Sequence, residues 1–217
     1  MSDLPTVGTG TCQATARLLI KPVQAVVELG AVGDFINTTL NTVHHANRHG
    51  LKEDQIAIAL PEMNKGRKCM MPGTEIELLG SLTSLTTFLG LEGTSTLKRR
   101  GMLLEQEIEE TFIEEGIVGA AYVRDRNCEK RTPGWIRRSK ARAERRNKPL
   151  GKNVNVRSND LSALALNYGK IVLHIREQVG KVTFSPLIVS TYGFSSPANP
   201  AILPVMPESV RNTFDAE

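Results

Sequence analysis

Residues 32–61 read VGDFINTTLNTVHHANRHGLKEDQIAIALP, and this stretch sets the pattern of the first half of the chain. Val32, Phe35/Ile36, Thr39/Leu40 and Val43 recur at spacings of three and four, the period of one helix face. A helix is therefore expected over 32–49, with Gly50 closing it. QIAIAL at 55–60 is a run of small and branched apolar residues, and Pro61 stops it as a strand.

Working outward, ATARLLIK at 14–21 begins a strand, and the small polar residues 1–13 are expected to form a flexible leader. Residues 62–73, rich in Lys, Met and Gly, are expected as a loop. TEIELL at 74–79 alternates as a strand does, and 81–89 reads as a short helix capped by Ser81. The apolar piece at 101–104 is expected to complete the sheet. Strand, helix, strand, strand, helix, strand is the ferredoxin-like order of an RNA-recognition-type domain, here over 14–110. Many unrelated proteins share that order, so it fixes no function. The strongly acidic residues 105–115 are expected as a connection or an exposed helix on which a basic segment could rest. Strands are expected at 117–123, 169–176, 181–184 and 188–192, followed by an extended Pro-rich tail. The fold class is α+β: the ferredoxin-like domain, then a second α/β domain over 111–217.

That second domain carries RDRNCEKRTPGWIRRSKARAERRNK at 124–148. Its eleven Lys and Arg outweigh three acids, a net +8 in a chain whose total is +4. The rest of the protein is thus acidic, and the asymmetry points to a polyanion, most plausibly nucleic acid. Thr132-Pro133 signals a helix start and Lys148-Pro149 a stop, giving an arginine-rich helix over 133–148. Arg138, Arg142 and Arg145/Arg146 then share a face, and such a row of guanidinium groups suits phosphate oxygens.

Other chemistry is sparse. No apolar run is long enough to cross a membrane and no signal pattern opens the chain. Cys12, Cys69 and Cys128 lack the paired spacing of a zinc or disulfide framework, so a cytoplasmic protein is expected. Nucleotide-binding glycine loops and the GxSxG nucleophile motif are absent. Three of the four histidines cluster as His44, His45 and His49. His45 and His49 have metal-ligand spacing, but position 46 is Ala where a zincin has Glu, so neither metal nor cofactor is expected. A histidine here fits general acid–base work near neutral pH. His44 sits beside the apolar stripe of the helix. His45 is rotated off it, where it could face a cleft.

Four stretches together resemble the CRISPR repeat-processing endoribonucleases, specifically their type I-F branch. They are His45 followed by Ile56-Ala57-Ile58-Ala59-Leu60-Pro61; Arg126 with Lys130-Arg131-Thr132-Pro133 and the arginine helix; the strand around 171–176; and Ser190-Thr191-Tyr192-Gly193-Phe194-Ser195. The resemblance spans about residues 15–206. It implies binding of a repeat stem-loop and a metal-independent cut at its 3′ base, by attack of the ribose 2′-hydroxyl on the adjacent phosphate. It places the catalytic histidine at His45, with His44 one residue away as the alternative. It puts a ribose-holding serine at Ser158, or Ser162, and Tyr192 nearby. It implies RNA contacts from Arg124, Arg126, Lys130, Arg131, Arg137, Arg138, Arg142, Arg145 and Arg146, with Arg126 reading a guanine. The chain departs from the family at Cys128, where a glutamine is usual, and at Ile171, where an aromatic stacks; Tyr168 stands close by in sequence. These departures fit a divergent member, from a type I-F variant, a transposon-associated system or a related type IV system. The partners implied are the repeat RNA and other surveillance-complex subunits, notably the backbone protein at the 3′ end of the guide. A non-catalytic RNA-capping subunit and a generic basic nucleic-acid-binding protein would share the same arm.

Overall fold

The computed structural model describes residues 9–65, 70–111, 114–124, 133–147, 164–168 and 171–205. The elements of the first half are β1 (Thr9–Cys12), β2 (Ala16–Ile20), α1 (Gln24–Glu28), α2 (Val32–His49), β3 (Ala57–Ala59), β4 (Asn64–Lys65), β5 (Met70–Met71), β6 (Ile76–Gly80), α3 (Leu82–Gly90), α4 (Glu92–Arg99) and β7 (Ile108–Glu110). The second half adds β8 (Val118–Arg124), α5 (Pro133–Arg145), β9 (Leu164–Tyr168), β10 (Ile171–Lys181) and β11 (Leu187–Ser190). The class is α+β with antiparallel sheets. Among the described residues no helix is long and apolar enough to cross a membrane.

A four-stranded sheet runs β3-β6-β2-β7. In β2 the residues Ala16, Leu18 and Ile20 are buried, and they pair with Gly80, Leu78 and Ile76 of β6. Helix α3 lies against β2 and β6, and α2 against α3 and α4. The stripe foreseen on α2 supplies Phe35, Ile36, Leu40 and Val43 to the core. Ser81 caps α3 by accepting a hydrogen bond from the Ser84 amide, which satisfies a helix-end donor.

Four expectations are corrected. The leader over 1–13 does not stay loose to its end: β1 pairs with β11, and Cys12 is fully buried. Its thiol donates to the Leu79 carbonyl at 3.2 Å, and burial pushes its pKa up to about 12, so it stays protonated. The loop at 62–73 contains the short pair β4–β5. The piece at 101–104 forms no full strand of the sheet: it makes only an antiparallel bridge just past β2, Leu103 to Pro22, with Val23 N–H donating to the Met102 carbonyl and Leu104 N–H to the Lys21 carbonyl. Gly101 ends α4, whose last turn closes with Met102 N–H bonded to the Leu97 carbonyl, and this folds Leu103 back into the core. The fourth strand is instead β7, inside the acidic stretch expected as a connection or helix. There Glu109 projects outward and accepts from Arg17 Nε at 2.8 Å.

The second sheet runs β8-β10-β9, and residues 194–195 join it to β11. Ser195 N–H donates to the Tyr122 carbonyl, Arg124 N–H to the Ser195 carbonyl, and Ser190 N–H to the Phe194 carbonyl. The two halves share one core, in which Leu18, Ile58, Tyr122, Leu173 and Phe194 belong to a single buried cluster.

Asn47 fastens the end of α2 to the strand that follows. Its Nδ2 donates to the Ile56 carbonyl at 2.9 Å, and its Oδ1 accepts from the Ile56 amide at 2.8 Å. Gln55 Nε2 donates to the Asn47 and Leu51 carbonyls, tying the same corner. Asn47 is buried, so Asn47→Ala leaves two backbone groups without partners. Urea unfolding of that variant should show a loss of roughly 2–6 kcal/mol, given about 1–3 kcal/mol for each unsatisfied buried group.

Candidate functional site

The last two turns of α2 carry His44, His45, Arg48 and His49. Val43 and Asn47 point into the core; His44 is half-buried on their flank, and His45, Arg48 and His49 are exposed. The Asn47 clamp fixes where this end of the helix meets β3. At the edge of β3, Ile58 N–H donates to the Gly193 carbonyl at 3.0 Å. That bond holds the turn 190–194 beside the helix.

The turn is closed by Gly193 N–H to the Ser190 carbonyl at 2.8 Å, and Ser190 Oγ donates to the Phe194 carbonyl at 2.8 Å. Gly193 has φ +75°, a conformation that disfavours any Cβ, and an added Cβ would stand 2.7 Å from Ile58 Cγ1 and 3.0 Å from the Ile56 carbonyl. Thr191 and Tyr192 are thereby left at the corner. Gly193→Ala should lower stability by roughly 1–3 kcal/mol from backbone strain alone and shift the turn. A thermal unfolding midpoint equal to that of the wild type would contradict this.

The Tyr192 ring stacks on His44, with centroids 4.2 Å apart and planes 14° from parallel. The Arg124 guanidinium, at the end of β8, lies 4.7 Å from the Tyr192 ring centroid. Two segments remote in sequence, the turn 190–194 and the end of β8, thus meet beside His44. Burial holds its pKa below the ordinary value of 6.5; a hydrogen bond with the Thr191 backbone opposes this, while the charges of Arg48, Arg124 and His45 add to it. The imidazole is therefore neutral at neutral pH, the form that accepts a proton.

No protein-family model and no curated protein matches this chain.

The geometry separates the two adjacent histidines. His44 meets Tyr192, whereas His45, the expected catalytic residue, tilts against His49 with ring centroids 4.5 Å apart. Among the described residues no three His, Cys, Asp or Glu side chains are grouped as metal ligands. Helix α5 forms where the arginine helix was expected and buries none of its side chains. Arg137, Arg138, Arg142, Arg145 and Arg146 are all exposed. Ser158, Ser162, Arg126, Cys128, Lys130 and Arg131 lie outside the described residues. Sequence reasoning passed over Arg48. Its signal was its spacing, four residues after His44 and so on the same helix face.

Proposed function

We propose that this chain is a metal-independent endoribonuclease that binds a CRISPR repeat stem-loop and cuts it at the 3′ base of the stem. The observation that carries the reading is the His44–Tyr192 stack. It gives a neutral histidine, held in one orientation by an aromatic ring from the far end of the sequence, in a chain with an exposed arginine helix. The strand order β3-β6-β2-β7, with helices following β2 and β6, supports a ferredoxin-like first domain.

In this reading His44 takes the place first expected for His45. Its neutral ring accepts the proton of the ribose 2′-hydroxyl. The 2′-oxygen bonds to phosphorus, the bond from phosphorus to the 5′-oxygen breaks, and the departing oxygen takes up a proton. The products are a 2′,3′-cyclic phosphate and a 5′-hydroxyl fragment. Tyr192 orients the imidazole, and Ser158 is assigned the ribose by resemblance. The arginine helix lies along the stem, where an A-form groove is recognised by shape and phosphate more than by sequence. The protein then keeps the hairpin product and caps a cytoplasmic surveillance complex beside the backbone subunit at the 3′ end of the guide.

The test is incubation with the repeat encoded beside the gene, in EDTA. A single cut at the stem base is expected. No cut, with equal affinity for any duplex, would overturn the reading in favour of a generic basic protein.

A further inference from the structure

His45 and His49 stand at the end of α2, both exposed, one helical turn apart and so on one face of the helix. Their imidazoles lean together, with ring centroids 4.5 Å apart and planes 47° from parallel. Among the described residues neither ring makes a hydrogen bond, so their nitrogens are open to a ligand. The turn that carries them is fixed, because buried Asn47 clamps it to the Ile56 backbone. Two imidazoles set side by side are a nitrogen donor pair. Metal–nitrogen bonds of about 2.0–2.1 Å place the centres of two neighbouring imidazoles on one ion roughly 4.5–5 Å apart. The two rings on α2 already have that spacing. The C-terminal end of an 18-residue helix adds the negative pole of its dipole, which favours a cation. Arg48 on the same turn opposes a cation, but it is exposed and its charge is screened by water and salt. Imidazole nitrogen suits late first-row ions, whereas magnesium and calcium take oxygen.

We infer that His45 and His49 form a chelating site for a late first-row divalent ion, of the zinc and copper class, on the outer face of α2. The site is separate from His44, whose ring turns to Tyr192. It binds the ion without using it for catalysis. Ala46 stands where a zinc protease has its glutamate base, and among the described residues no third His, Cys, Asp or Glu is grouped with the pair. Water fills the remaining positions on the ion. The ion ties the last turn of α2 to the turn before it, and it supplies no step of the proposed RNA cut.

The site is tested with zinc chloride on the full untagged chain. The reporters are the imidazole resonances of His45 and His49, each assigned by its loss in the corresponding Gln variant. Zinc should move both together and saturably in the micromolar range, and copper(II), followed by competition against zinc, should bind tighter. Magnesium should move neither. His45→Gln and His49→Gln should each weaken zinc binding at least about tenfold, because the second nitrogen closes on the ion within one chain. Both side chains are exposed, so the variants keep the fold, which their far-ultraviolet circular dichroism checks. His44→Gln should leave the zinc affinity unchanged. Zinc that moves neither resonance, that is taken only by cysteine thiolates, or that binds equally in both Gln variants would overturn the site. These measurements use no RNA, so the ribonuclease reading is judged apart from them. A chain that binds zinc at the pair without cutting the repeat keeps the site and loses the nuclease. A chain that cuts the repeat without binding zinc keeps the nuclease and loses the site.

Discussion

His44→Ala is expected to reduce RNA cleavage by about 10²–10⁴-fold, the contribution typical of a positioned general base, while His45→Ala stays within a few-fold of wild type. The contrast is sharp because the two residues are neighbours of the same type. A loss that depended only on local charge, or on the stability of α2, would follow both substitutions. One that depends on orientation follows His44 alone, because only its ring stacks on Tyr192. Stem-loop affinity should change little in either variant, since the exposed arginines of α5 remain in place. The pH profile carries the same assignment. Burial holds the His44 pKa below 6.5, so the cleavage rate should rise with pH through a value below 6.5 and be level by neutrality. Stability has the matching sign. The fold favours the neutral ring, so this contribution is complete above pH 6.5 and is lost as pH falls through the lowered value. His44→Gln should flatten that part of the stability curve. A His45→Ala variant that fails to cut, beside a His44→Ala variant that cuts normally, would return the chemistry to His45.

Replacing Arg138, Arg142 and Arg145 together with alanine should weaken stem-loop binding by roughly 10³-fold, at about 1.5 kcal/mol per charge-assisted contact. The three stand at spacings of four and three on α5, on one helix face, and all are exposed. Alanine keeps the helix, so the change removes charge and hydrogen bonds and leaves the scaffold. The plot of log affinity against log salt should become shallower by about one unit for each arginine that contacts a phosphate. The cut rate at saturating RNA should stay near wild type, because in the proposed mechanism the arm holds the stem and His44 performs the proton transfer. Filter binding of the cognate stem-loop between low and physiological salt measures both quantities. Unchanged affinity and slope would show that the RNA lies elsewhere.

Helix α2 was legible in full, from Val32 to His49, because its apolar residues fall at spacings of three and four and a glycine follows. The Ser81 cap and helix α5 were legible for similar local reasons. Helix α4 was not, since Glu-Gly-Thr-Ser-Thr holds poor helix formers; its place comes from packing on α2, where a Cβ at Gly93 would collide with Thr42 Oγ1. Strand β7 was hidden by its glutamates, which suit an exposed edge and mask the alternation. The site followed the same division. That His44 sits beside the apolar stripe of α2 was readable; that its ring meets Tyr192 was not. His44 lies four residues after buried Leu40, on the inner flank, and the sequence reading had favoured the outward-turned His45. The choice rests on a turn nearly 150 residues away, seated by the Ile58–Gly193 hydrogen bond, and no local pattern announces a contact of that range.

In the proposed reaction the 2′-hydroxyl attacks and His44 accepts its proton. The most direct measurement is mass spectrometry of the 5′ fragment released from the repeat stem-loop in EDTA, run beside the same RNA with a single 2′-deoxyribose before the cut. The natural RNA should give a 2′,3′-cyclic phosphate end, and the deoxy form should bind without being cut. A fragment ending in a free 3′-hydroxyl, or a deoxy substrate cut at the same rate, would contradict this reaction.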